Sequence, residues 1–154
     1  MYDIEEVIKH RKPMRLVDEL LSFDESSASV LVHINTDSEF YQAEQQGVPS
    51  YIGIEYMAQC IAAKAGANEL ASGGALKLGF LLGTRKYTPN VTYFSCGDTL
   101  RVSATRLLED ATGLSVFECT IVLDTQAGNQ VDKVLAQAKI NVFQPEDSAT
   151  FLQK

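Results

Sequence analysis

Apolar positions along this chain follow two different periods. From Ala28 to Asn35, Val30, Val32 and Ile34 alternate with Leu31 and His33, the two-residue period of a strand with one buried face. Thr99 to Glu109 repeats the pattern, with Leu100, Val102 and Ala104 set against Arg101, Ser103 and Thr105. Leu114 to Asp124, rich in Val116, Phe117, Ile121, Val122 and Leu123, reads as a further strand. The turn Gln126-Ala127-Gly128-Asn129-Gln130 then leads to a last strand over Val131 to Phe143. Lys77 to Tyr87 is an apolar strand candidate interrupted by Gly79 and Gly83, which permit a bulge or close backbone approach. Met14 to Phe23 has no clean period. Its length and the Asp-Glu-Ser-Ser turn after it favour a strand.

The run from Pro49 to Gln59, continuing to Ala71, behaves differently. From Tyr51 to Ala71 most positions are apolar or small, so a helix there has almost no polar face and is expected to be buried on nearly every side. Ser50 is a candidate N-cap and Ser72-Gly73-Gly74 a stop. Ala58, Ala62, Ala63, Ala65, Gly66 and Ala67 allow the helix to lie close to a sheet. Near the N-terminus, residues 3–9 read as a short helix with Ile4, Val7 and Ile8 on one side, ended by Pro13. The order is short helix, two strands, one long helix, then three or four strands. That order predicts an α+β domain in which a curved antiparallel sheet wraps around the central helix, the layout of the hotdog fold. The whole chain, 1–154, is expected to form this single domain, with a polar tail from about residue 144.

Composition narrows the function. The 154 residues carry 13 basic and 20 acidic side chains, net −7, which argues against general nucleic-acid affinity. No run is apolar enough to span a membrane, and Met1 to Lys12 is not a signal peptide. Cys60, Cys96 and Cys119 lack metal-type spacing and suggest free thiols in a cytoplasmic protein. No metal or organic cofactor is implied.

The chemistry centres on Glu55 and Gln59, four residues apart and therefore on one helix face. A carboxylate inside a buried helix is costly unless paired or used. Arg85 is a possible structural partner, while Gln59 is expected to hydrogen-bond within the core or across an interface. Cys60 reads as a small apolar residue.

Three stretches carry a family resemblance. His10-Arg11-Lys12-Pro13-Met14-Arg15-Leu16-Val17-Asp18 is similar to an H-R-x-P-x-x-L-V-D motif. Pro49 to Gln59 is similar to P-G-x-x-x-x-E-A-M-A-Q, and Gly97-Asp98-Thr99-Leu100 to G-D-x-L. Together they resemble the FabA/FabZ-type 3-hydroxyacyl-carrier-protein dehydratases over nearly the whole chain. The resemblance implies a hotdog dimer acting on an acyl-carrier-protein or coenzyme A thioester. A loop histidine would remove the C2 proton, a helix carboxylate from the other protomer would help the 3-hydroxyl leave, and N–H groups at the helix start would hold the carbonyl.

Carried over by position, Glu55 is the helix carboxylate, and the N–H groups of Ser50 and Tyr51 are candidates to face the carbonyl. Phe40 and Tyr41 match the family's loop aromatics and are candidates to wall an acyl tunnel, with Gln59 beside the pocket. The loop departs from the family, because Glu44 stands where the histidine belongs. Glu44 is therefore a candidate replacement base. His33 and His10, the chain's two histidines, fall elsewhere. A kept acid without its base resembles a dehydratase subunit of the aryl polyene type, completed in a heterodimer by a related histidine-bearing partner. The alternatives are a hotdog thioesterase using Glu55, and a non-catalytic stabilising subunit. Arg11, Lys12 and Arg15, with Arg85 and Lys86, are a candidate surface for an acidic carrier protein.

Overall fold

The computed structural model describes residues 1–76, 81–125 and 133–143, and of residues 81, 82 and 85 the backbone alone. Among them, β1 (Glu19–Phe23), β2 (Ser27–His33), β6 (Thr99–Glu109), β7 (Leu114–Leu123), β8 (Val134–Phe143) and β4 (Leu81–Pro89) form one antiparallel sheet, in the spatial order β1-β2-β6-β7-β8-β4. The registers explain its buried face. Val30 stands opposite Val102, Val102 opposite Ile121 and Ile121 opposite Ala136, so one row crosses four strands with no measurable exposure. The next row is Ala28, Ala104, Cys119 and Ala138. Small side chains there leave a trough.

The long helix α2 (Gly53–Ala71) lies in that trough, where its Cys60 thiol reaches the carbonyls of Ala28 at 3.5 Å and Val102 at 3.4 Å. Small residues on both partners permit this approach, and the full burial of Met57, Cys60, Ala63 and Ala67 follows from it. Gly73 at φ 84° then lets the chain leave the helix. The Gly74 N–H bonds the Glu69 carbonyl and the Gly73 N–H that of Leu70, a Schellman ending at the expected Ser-Gly-Gly stop. The short α1 (Ile4–Val7) packs on α2 at Gly66, where a Cβ would fall on the Val7 carbonyl oxygen.

The α+β layout is the expected one, and the structure corrects its details. Residues 14–18 are not strand, and β1 begins only at Glu19. The polar stretch Thr36 to Pro49, expected to be loop throughout, ends in β3 (Gly47–Pro49), which pairs with β5 (Tyr93–Ser95) in a separate two-stranded sheet. Three residues are too few to show a period in sequence. Ser50 is not the helix N-cap. Ser50–Ile52 form a 3-10 turn, and Ile52 holds the cap position without a side-chain hydrogen bond. The bulge in β4 falls between Thr84 and Lys86, not at Gly83. The expected strand start at Lys77, the turn at Gln126–Gln130 and the polar tail lie outside the described residues. Among the described residues no helix is long and apolar enough to cross a membrane.

Two outcomes are expected. Gly66→Ala lowers stability by about 1–3 kcal/mol in equilibrium denaturation, since backbone must move to admit the methyl group. Of the three thiols, Cys96 alone is exposed, and burial pushes that of Cys119 up to about 12. A thiol reagent at neutral pH should label Cys96 alone in the native protein and all three cysteines after unfolding.

Candidate functional site

Gln59 has no exposed surface, so each polar atom of its amide needs a partner. It finds them in the segment that fails to become strand. The amide oxygen accepts from the N–H of Leu16 at 2.8 Å and of Val17 at 3.3 Å. The amide nitrogen donates to the Met14 carbonyl at 2.8 Å and to Glu55 Oε1 at 3.1 Å. Two acceptor sites and two N–H groups are thus all used, which also fixes which end of the amide is oxygen. Residues 14–17 are tied to α2 rather than to a neighbouring strand.

Glu55 lies one turn before Gln59 and, in the single chain, is exposed rather than buried. The expectation of a helix covered on nearly every side holds along most of α2, with Glu55 the exception near its start. The carboxylate is held at one oxygen by Gln59, and Arg85, its other suggested partner, has a side chain outside the described residues. Two large apolar side chains of the same region are exposed: Tyr51 (65%), on the preceding turn, and Met14 (68%), whose carbonyl shares the Gln59 amide with Glu55.

The helix start is clamped from two sides. The Ser50 N–H donates to the Thr92 carbonyl at 2.9 Å, so it is not free for a substrate carbonyl. The Tyr87 hydroxyl donates to the Ser50 carbonyl at 2.5 Å. Gly53 makes room for that hydroxyl, since a Cβ there would collide with it. Burial pushes the Tyr87 phenol up to about 12, which keeps it a donor at neutral pH. The Tyr51 N–H has no acceptor among the described residues. Nothing local in the sequence marks Tyr87 or Thr92 as partners of Ser50, because both meet it only through the β4 and β5 region.

The loop offers little to this site. Gln42 and Gly47 exchange backbone hydrogen bonds at 2.8 and 3.4 Å, closing a tight turn with the exposed Glu44 on it. No hydrogen bond or ion pair joins Glu44 to Glu55. Phe40 is 57% exposed at φ 69°, an uncommon backbone region for a bulky residue, whereas Tyr41 packs against the core. His33 is committed elsewhere: its ring meets Glu19 Oε2 at 2.5 Å and Thr99 Oγ1 at 3.1 Å. His10 precedes the Gln59-bound segment with its Nδ1 buried and unpartnered. Two of the basic residues are also occupied. Arg11 donates to the carbonyls of Glu5, Ile8 and His10 beside the end of α1, and Arg15 lies 3.6 Å from the Glu5 carboxylate.

A family model described as ApeP dehydratase, of the ApeP-like family, matches residues 2–153. No curated protein matches the chain. Among solved structures, the dehydratase heterocomplex ApeI:P from Xenorhabdus doucetiae superposes with a TM-score of 0.82 at 22% identity, covering 100% of this chain and 99% of that one. The PaaI protein from the phenylacetic acid degradation operon of E. coli gives 0.55 at 17% identity over 81% of each chain. A variant acyl-CoA hydrolase from Staphylococcus aureus gives 0.59 at 12%, over 83% of this chain and 73% of that one. At these identities the likeness establishes the fold, which is the hotdog fold.

Replacing Gln59 tests the junction. Gln59→Leu fills the space but strands two N–H groups and a carbonyl, and should cost about 2–4 kcal/mol in denaturant unfolding. Gln59→Glu restores the acceptor but sets a second carboxylate against Glu55, so its penalty should grow as pH rises above about 4.

Proposed function

The chain belongs to the ApeP-like dehydratase family, and from that premise we propose that it is one subunit of a two-chain dehydratase acting on 3-hydroxyacyl thioesters. Glu55 supplies the acid, and a related hotdog partner supplies the base. The base takes the C2 proton, the C–H electron pair becomes the new double bond, and the 3-hydroxyl leaves as water with a proton from the acid. The product is a 2-enoyl thioester.

One observation carries this reading. Glu55 is exposed and oriented by Gln59, with Tyr51 on the preceding turn and Met14 of the Gln59-bound segment also exposed, yet no histidine of this chain bonds it. A carboxylate aimed outward within an apolar surround suits a face that another chain covers. The similar ApeI:P protein is itself a heterocomplex. The unpaired Tyr51 N–H is a donor open to a thioester carbonyl, and Phe40 and Tyr51 offer apolar surface to an acyl chain. A polyene-type pathway, with a carrier-protein thioester as substrate and the cytoplasm as its place, fits the same reading. Glu44, on its turn, has no part in the reaction.

The test is dehydration of a 3-hydroxyacyl thioester by the chain co-purified with a histidine-bearing hotdog partner. Glu55→Gln should lower turnover by about 10²- to 10⁴-fold without dissociating the complex, while Glu44→Gln and His33→Ala leave it unchanged. Full turnover by the Glu55→Gln complex would reduce this chain to a supporting subunit. Hydrolysis by the chain alone, lost on Glu55→Gln, would indicate a thioesterase instead.

A further inference from the structure

Lys64 lies nine residues beyond Glu55, roughly 13–14 Å along the helix and half a turn around it. It therefore points into the opposite side of the molecule, between α2 and the β6–β7 hairpin. Only 5% of it is exposed, and its ammonium sits 5.7 Å from the centre of the Phe117 ring. A ring face attracts the charge but offers no lone pair to the three N–H donors. Lys64 has no hydrogen bond and no ion pair among the described residues. Burial, and then Arg106 nearby, hold its basicity below the ordinary lysine value against the opposing pull of Glu109, Asp24 and Glu25, none of which bonds the ammonium.

The space beside it has the chemistry to supply what is missing. A cavity of about 100 Å³ is lined by Lys64, Arg106, Ser115, Phe117 and Glu109, among others. Glu109 is already paired with Arg106, at 3.3 Å from Nη1, so two cations face this space against one committed carboxylate. A wider space of about 380 Å³ shares Lys64, Ala65 and Arg106 and leads outward past Glu25. The inner space has room for one compact polar group.

We propose that Lys64 and Arg106 form a binding site for a small oxyanion, a carboxylate or phosphate group, seated between α2 and the β6–β7 hairpin. The anion accepts from the Lys64 ammonium and the Arg106 guanidinium together, with the Ser115 hydroxyl as a further donor at the rim. Arg106 is tied into the fold by its backbone, whose N–H donates to the Ser26 carbonyl at 2.7 Å. The guanidinium thus stands on a fixed strand and the ammonium on a fixed helix.

Thermal denaturation of the full chain, alone and with its hotdog partner, reads the site. Inorganic phosphate and acetate are titrated separately at constant ionic strength made up with chloride. At least one should raise the midpoint saturably, and the arm that responds identifies the phosphate or the carboxylate source. Lys64→Met should abolish the response and, with an unpartnered charge removed, keep at least the wild-type midpoint without anion. Arg106→Gln should weaken apparent affinity tenfold or more. If Lys64→Met does not fold, Lys64→Arg, which keeps the charge, must retain the saturable response. No saturable response in the wild type, or an equal one in Lys64→Met, overturns the proposal. So does loss of the response in a folded Lys64→Arg.

Discussion

Four hydrogen bonds made by one amide shape the functional side of this molecule. Gln59 is fully buried, so its amide must be satisfied inside the protein, and the available partners are the backbone groups of residues 14–17 and the Glu55 carboxylate. That requirement keeps residues 14–17 out of β1, docks the N-terminal segment on the central helix, and holds the catalytic candidate in one orientation. Leaving an amide of this kind half-satisfied would cost more than never burying it. The segment and the helix are therefore coupled: neither keeps its position without the other.

The rest of the fold allows the helix to sit where that amide can work. The row Ala28, Ala104, Cys119 and Ala138 makes the sheet shallow beneath α2, and the helix answers with Cys60, Ala63 and Ala67. Gly66 admits the Val7 carbonyl and Gly53 admits the Tyr87 hydroxyl. These contacts are backbone-close, so the position of the helix start is set by sterics as much as by hydrophobic burial. Ser50 is bonded at both its N–H and its carbonyl, and the next peptide N–H, that of Tyr51, has no acceptor among the described residues.

On that scaffold the acid–base pair that the family resemblance implies is incomplete within this chain. The carboxylate is present, oriented and exposed, while the loop where the resemblance places a base folds into a tight turn carrying Glu44. His33 is held by Glu19 and Thr99 on the strand at the other side of that loop.

The alternation in β2 and β6, the helix with its Ser-Gly-Gly stop, and the element order were legible in the chain. Each depends on periods or local backbone chemistry that a linear sequence carries. The P-x-x-x-x-x-E-x-M-A-Q stretch likewise pointed to Glu55 as the position that matters. Burial was not legible. A helix that is apolar all round looks enclosed, and only the folded chain shows that Glu55 is exposed while Gln59, on the same face, and Lys64 are buried. The backbone partners of Gln59 lie 42–45 residues away and those of Ser50 about as far, so no local pattern could name them. The sequence by itself determined which elements form and which carboxylate to watch. The tertiary structure decided what holds that carboxylate, and which N–H at the helix start stays free, because long-range hydrogen bonds and close packing exist only once the sheet has closed over the helix.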